Sequence, residues 1–204
     1  MNIPVVSYAA STPDLDDRTN FPYFIRTVPS DKDQAEAMLA VIQAMGWEYV
    51  DILFVANNYG TKGKDQFVRV AEENGVCVGE PMPISETNAD EPALYKTVLE
   101  LKNRQAKIVV FFGIDTRYSD VVKILNSGQD YGDFIFLASE EWGTKQQLLL
   151  DGGKAARGTL TLDLASPQVE TQEFRTYMLS RNLENTQYNP WFSEFWQHLF
   201  KCNI

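Results

Sequence analysis

Few residues of this 204-residue chain are equipped for catalysis. His198 is the single histidine, and it sits within Trp196-Gln197-His198-Leu199-Phe200. No serine or cysteine is placed to pair with it, so it reads as a packing or surface residue on an aromatic helix. Gly60-Thr61-Lys62-Gly63-Lys64 has the composition of a phosphate loop, but the spacing is wrong and no Ser or Thr follows Lys64. It reads instead as a solvated helix start. No strand is followed by G-x-G-x-x-G, which removes the glycine turn of a dinucleotide site. Among 28 acidic residues, no carboxylate pair has an acid–base spacing beyond chance. Cys77 and Cys202 lie 125 positions apart, which is no metal-ligand spacing. They can be buried free thiols, a pair with each other, or partners of cysteines outside this chain. Neither an enzyme nor a metal or cofactor site is therefore expected.

The charge balance narrows the partners. Eighteen basic against 28 acidic residues give a net charge of −10, which repels phosphate backbones and anionic membranes and argues against nucleic acid. No run of about 18 apolar residues is present to span a bilayer. No basic segment with an apolar stretch precedes Val5-Val6-Ser7-Tyr8, so no signal peptide is read. The chain is then expected to be cytosolic or a piece of something longer.

Short apolar runs alternate with helical periods. Strands are expected at Ile3–Tyr8, Tyr49–Ala56, Val76–Gly79, Lys107–Gly113, Phe134–Ala138 and Gly158–Leu164. Ser30 caps a helix carrying Ala35, Met38, Leu39, Ile42 and Met45 at helical spacing, stopped by Gly46. Further helices carry Phe67, Val70 and Ala71; Leu94, Val98 and Leu101; and Val121, Val122 and Leu125. Ser85–Glu91 reads as an exposed loop, and Glu170–Cys202 as mostly helical, with Trp191–Phe200 as core and interface. This β-α alternation predicts an α/β fold, an open, mainly parallel sheet with helices on both faces. Ligands of such sheets bind outside the carboxyl ends of the strands. The turns that matter are Ala9–Thr12, Ala56–Gly60, Gly113–Arg117 and Ser139–Lys145. The first strand has no βα unit before it and the last helices have no strand after them, so the chain reads as one whole lobe with the edges of another.

Several collinear motifs carry a family likeness. They are Ile3-Pro4-Val5-Val6-Ser7-Tyr8-Ala9-Ala10-Ser11, Phe24-Ile25-Arg26-Thr27-Val28-Pro29-Ser30-Asp31, Gly46-Trp47-Glu48-Tyr49-Val50, Asn58-Tyr59-Gly60, Ala138-Ser139-Glu140-Glu141-Trp142-Gly143 and Asn189-Pro190-Trp191-Phe192-Ser193-Glu194-Phe195-Trp196. Together they resemble the extracellular ligand-binding domain of class C G-protein-coupled receptors, and metabotropic glutamate receptors above all. The resemblance implies a two-lobed clamshell of the type I periplasmic-binding-protein kind. Residues 1–25 would be part of lobe 1, 26–166 lobe 2, and 167–204 the return to lobe 1. It also implies an amino-acid ligand (glutamate or a smaller α-amino acid), a homodimer, a G protein reached through a membrane domain outside this chain, and a plasma-membrane location with this part extracellular. A soluble periplasmic-type amino-acid-binding protein is the alternative.

By the same resemblance, the backbone of Ala9 and the hydroxyl and amide of Ser11 match the groups that hold the ligand's α-amino-acid head. Asp31 matches the aspartate that faces the ammonium, and Tyr59 the tyrosine whose ring covers it. A carboxylate and an aromatic face are what a buried ammonium requires. Glu140 stands where glutamate-binding members have aspartate; the extra methylene leaves less room and favours a smaller ligand. Lys145 falls where some members have an arginine that meets the distal carboxylate of glutamate, and so pulls the other way. The lobe-1 serines and lysine of the family's site lie outside this chain. Cys77 and Cys202 match cysteines whose partners are also outside it, so no disulfide is expected within the chain.

Overall fold

The computed structural model describes residues 3–87, 91–128, 134–164 and 171–203. They divide into two compact units, Met1–Leu164 and Ala165–Ile204. In the first, a parallel pair, β1 (Val5–Ser7) and β2 (Phe24–Arg26), precedes helix α1 (Asp31–Ala44). Then follow β3 (Tyr49–Val55), α2 (Asn58–Glu73), β4 (Cys77–Val78), β5 (Met82–Ile84), α3 (Glu91–Lys102), β6 (Ile108–Phe112), α4 (Asp115–Ser127), β7 (Ile135–Ala138), α5 (Gln146–Gly152) and β8 (Leu160–Thr161). Among the described residues β3 to β8 form one sheet, every pairing parallel. β6 and β7 are central, β8 lies beyond β7, and β4 and β5 share the far edge of β3.

Strand alternation sorts the core into two layers. Val50 and Ile52 of β3, Val110 and Phe112 of β6 and Leu137 of β7 pack with Met38 and Ile42 of α1 and Phe67 and Val70 of α2. Leu53, Val55, Val109, Phe111, Phe136 and Ala138 face the opposite layer, with Leu94 and Val98 of α3, Val121 and Leu125 of α4 and Leu148 of α5. Helices thus cover both faces, as the β-α alternation predicts, because a parallel sheet hides both sides from water. The cap on α1 is also as expected. Ser30 and Asp33 form a reciprocal capping box, which satisfies two backbone donors at the helix start.

Two expectations need correction, and one strand had no expectation at all. The region before Ser85 contains β5, which Pro83 at its centre obscured. Proline is tolerated there because β5 is an edge strand, bonded only to β3. Met45 is exposed rather than part of the apolar stripe of α1, since it is already the C-cap residue. The strand read at Gly158–Leu164 is only Leu160–Thr161.

Glycine is required where α2 crosses the sheet. A Cβ on Gly60 would overlap the carbonyl oxygen of Val55, and one on Gly63 would stand 2.5 Å from Phe112 Cδ1. The Val55 contact is with backbone, which no rotamer change relieves. Gly60→Ala is therefore expected to cost about 1–3 kcal/mol or more. A urea midpoint equal to that of the parent chain would show that α2 shifts freely on the sheet.

The second unit contains α6 (Gln172–Leu179) and α7 (Phe192–Phe200), with a Thr171 cap on Phe174 N–H. Phe192, Trp196 and Phe200 stack at ring-centroid separations of 5.4 and 4.5 Å. Phe192 is buried, but Trp191 is 70% exposed and Phe195 51%. Of the expected core and interface, the core part is narrowed to Phe192, because a unit this short cannot enclose so many large rings.

Candidate functional site

The carboxyl ends of β3, β6 and β7 lie side by side, with β6 in the middle. The sheet therefore brings the turn after β3 and the turn after β7 to one end, although they are some 80 positions apart in sequence (|i−j| = 81 for Tyr59 and Glu140). Asn57 caps α2 by accepting from Gly60 N–H at 2.8 Å. This sets Tyr59 in the first turn of the helix. Tyr59 Oη donates to Glu140 Oε2 at 2.8 Å, and Gln34 Oε1 of α1 lies 3.5 Å from the same hydroxyl.

A buried pair beneath fixes Glu140. Tyr118 of α4 is fully buried. Its hydroxyl donates to the Phe111 carbonyl and receives Ser139 N–H at 3.0 Å, with Ser139 Oγ at 2.8 Å. Trp142 packs on the Tyr118 ring at a centroid distance of 5.1 Å. The backbone entering Glu140 is thus pinned to the β6 strand end.

Asp31 is the first residue of α1 and is 1% exposed. Among the described residues neither carboxylate oxygen accepts a hydrogen bond of normal geometry, but the Ser11 side chain lies near enough to favour the charged form. Its N–H donates to the Ser11 carbonyl at 3.0 Å. Arg26 Nη1 donates to the Ser11 and Thr12 carbonyls at 3.0 Å each, and the same guanidinium pairs with Asp16. Asp16 in turn accepts from Ser30 Oγ at 3.0 Å. This network holds the loop after β1 against the start of α1.

Burial dominates the electrostatics of the cluster. It pushes Glu140 up to about 7, against the opposing hydrogen bond from Tyr59, while the charges of Asp31 and Glu141 add to the rise. Burial raises Asp31 too, offset in part by the Ser11 side chain and the Arg26 charge. It also raises the Tyr59 hydroxyl, with the Glu140 charge as the next cause. Two carboxyls held short of full solvation beside an aromatic ring are suited to receive a cation. Nothing in the cluster combines a nucleophile with a base. Among the described residues no group of three or more His, Cys, Asp or Glu side chains is placed to hold a metal.

The structure joins Tyr59 to Glu140 directly, and Ser11 to Asp31 through backbone. Ala9 is exposed, its N–H donating to Ser7 Oγ at 3.3 Å. Lys145 is engaged elsewhere: it precedes α5, is exposed, and its Nζ lies 3.3 Å from Asp115 Oδ2 and 3.4 Å from Glu141 Oε2. Sequence reasoning missed Gln34, Tyr118 and Arg26. Arg26 lay within a quoted motif, but Tyr118 gave no signal beyond an aromatic on a core helix. Cys77 and Cys202 are both free and exposed, so the buried-thiol reading is corrected. Among the described residues no helix is long and apolar enough to cross a membrane.

The comparisons with known proteins agree with this architecture. The family model "Receptor family ligand binding region" matches residues 1–197. The chain is 31% identical over 205 aligned residues to metabotropic glutamate receptor 6 of Oryctolagus cuniculus, covering 99% of this chain and 23% of the relative. The same figures hold for metabotropic glutamate receptor 6 of Rattus norvegicus. Metabotropic glutamate receptor 4 of Mus musculus is 32% identical, with 99% of this chain and 22% of the relative covered. The chain therefore spans less than a quarter of the length of these relatives. With a family model covering nearly all of its length, and a parallel α/β sheet of the periplasmic-binding-protein kind beneath it, the chain belongs to the receptor family ligand binding region.

Proposed function

We propose that this chain is part of the extracellular amino-acid-binding region of a metabotropic glutamate-type G-protein-coupled receptor. The observation that carries the reading is the Tyr59–Glu140 hydrogen bond at the strand ends, with the buried carboxylate of Asp31 near enough for its charge to act on Glu140. Asp31, Tyr59 and Glu140 receive the ligand's α-ammonium, and Ser11 with the Ala9 backbone meets its α-carboxylate. Lys145 supplies nothing to the ligand while it remains paired with Asp115 and Glu141. In the whole receptor the ligand is held between two lobes and favours the closed form, because it binds that form more tightly. Closure then reorients the subunits of a dimer at the plasma membrane and biases the G-protein-coupled segment. The role is binding, without catalysis.

One face of a two-sided site still bears the full cost of immobilising a ligand. The chain alone is accordingly expected to bind α-amino acids only in roughly the millimolar range, −4 kcal/mol in free energy. Saturation-transfer NMR with L-alanine and L-lactate tests the reading. These ligands share the carboxylate and methyl group and differ in ammonium against hydroxyl. Alanine is expected to give signal that Asp31→Asn abolishes, and lactate none. Equal signal from both would remove the ammonium site.

A further inference from the structure

Ser139 has one hydroxyl proton and two phenols within its reach. Its Oγ lies 2.8 Å from Tyr118 Oη, and its side chain is near enough to act on the Tyr59 hydroxyl. Ser139 and Tyr118 are fully buried and Phe111 is nearly so, so their polar groups must satisfy one another. The proton count resolves the choice. A carbonyl only accepts, and Tyr118 gives its single proton to the Phe111 carbonyl. Tyr118 Oη also accepts from Ser139 N–H at 3.0 Å. With no second proton on Tyr118, Ser139 must be the donor in the contact between the two hydroxyls. Its proton is spent inward, and Tyr59 meets only its lone pairs.

We infer that Tyr118 is a positioning residue for the Tyr59–Glu140 pair: by drawing the Ser139 proton inward, it denies that proton to the Tyr59 hydroxyl. Tyr59 donates to Glu140 Oε2 at 2.8 Å, and Gln34 Oε1, at 3.5 Å, only accepts. A phenol that also received a hydrogen bond would donate more strongly, since bonds in a chain polarise one another. Tyr118 thus holds in check the bond from Tyr59 that favours ionised Glu140. Other groups act in the same direction. Asp31 from α1 and Glu141 on the same turn both favour the protonated form. Tyr118 lies beneath on α4, close enough to feel the Glu140 charge. Asp163, beyond β8, lies against Gly143 of that turn. The inference rests on the proposed function only for what Glu140 then meets; Tyr118 itself touches no ligand.

Glu140 can be titrated directly by NMR in the full chain carrying ¹³C at the glutamate carboxyl carbons, its resonance identified by its loss in Glu140→Gln. The parent midpoint is expected near 7. Tyr118→Phe frees the Ser139 proton for Tyr59 and should weaken the proton affinity of Glu140 roughly tenfold. Adding Ser139→Ala to Tyr118→Phe removes the freed donor and should restore the midpoint to within about threefold of the parent. Ser139→Ala alone should also stay within about threefold, and it tests the assignment should Tyr118→Phe misfold. A Tyr118→Phe chain that melts lower with an unchanged midpoint would reduce Tyr118 to packing and overturn the inference. A midpoint equally low in the double variant would place the effect in a loosened turn, and would overturn it as well. So would a raised midpoint in Ser139→Ala, because the Ser139 proton would then already serve Tyr59. These titrations contain no ligand, so each such result leaves the amino-acid reading to stand or fall on alanine and lactate.

Discussion

At pH 8 the Glu140→Gln chain is expected to be more stable than the parent, by on the order of 3 kcal/mol. Glu140 ordinarily titrates at 4.5, but in the folded chain burial holds it at about 7. Between those values the folded chain keeps a proton that the unfolded chain has released. Stability is therefore fully present below about pH 4.5 and is lost as pH rises through 7. Glutamine has the shape of the protonated acid and no charge to desolvate, so it removes this slope. Thermal melts should nearly coincide at pH 5. At pH 8 the variant should melt several degrees higher, at about 2–4 °C per kcal/mol for a chain of this size. Parallel pH profiles for the two chains would mean that Glu140 is well solvated in the folded state. On the proposed function, the same residue trades stability for binding. An ammonium pairs only with the ionised carboxylate, so ligand affinity should rise from pH 6 to 8, where the folded chain alone becomes weaker.

The second large effect concerns the opposite end of the sheet. Asp51 points from the middle of β3 into a fully buried position. Arg104, following α3, donates to its Oδ1 at 2.9 Å, and also to the Glu80 carbonyl at 2.6 Å and Glu100 at 3.1 Å. Gly79 leaves room for the carboxylate, since a Cβ there would overlap Asp51 Oδ1. Arg104→Met strands an anion in the interior and is expected to cost about 3–5 kcal/mol. Replacing both partners, Asp51→Leu with Arg104→Met, should recover most of that loss, because the desolvation penalty disappears with the pair. Urea denaturation of the single and double variants gives the comparison. A single variant within about 1 kcal/mol of the parent would show that water reaches Asp51.

Much of this molecule was legible in the chain itself. The largely apolar runs Tyr49–Val55 and Ile108–Phe112 read as strands, whose successive residues face the two core layers in turn, and helical spacing in Ala35–Ile42 gives the buried side of α1. Those are local periodicities, set by the two-residue repeat of a strand and the 3.6-residue repeat of a helix. Ser30 announced the start of α1 for the same reason, since a cap acts within one turn. The strand-end turns that hold Tyr59 and Glu140 were legible from the β-α pattern, but the roles of these residues and of Asp31 only through motifs that resemble a family.

Tertiary structure decided the rest. Nothing local says that Tyr59 and Glu140 meet; their contact follows from β3, β6 and β7 lying in that order. Nothing local buries Asp31 or raises Glu140, since both follow mainly from packing by elements remote in sequence. Lys145 shows the same limit from the other side. As a residue type it suits a ligand carboxylate, but the fold sets Asp115 and Glu141 beside it. Edge strand β5 escaped notice because proline is a strand breaker everywhere except at an edge, and only the assembled sheet defines its edge. The sequence by itself determined the periodic elements and the residue types at the strand ends. Which of those residues share one site, and in what charge state, was decided by long-range packing, because Coulomb energy and desolvation depend on distance in space and not along the chain.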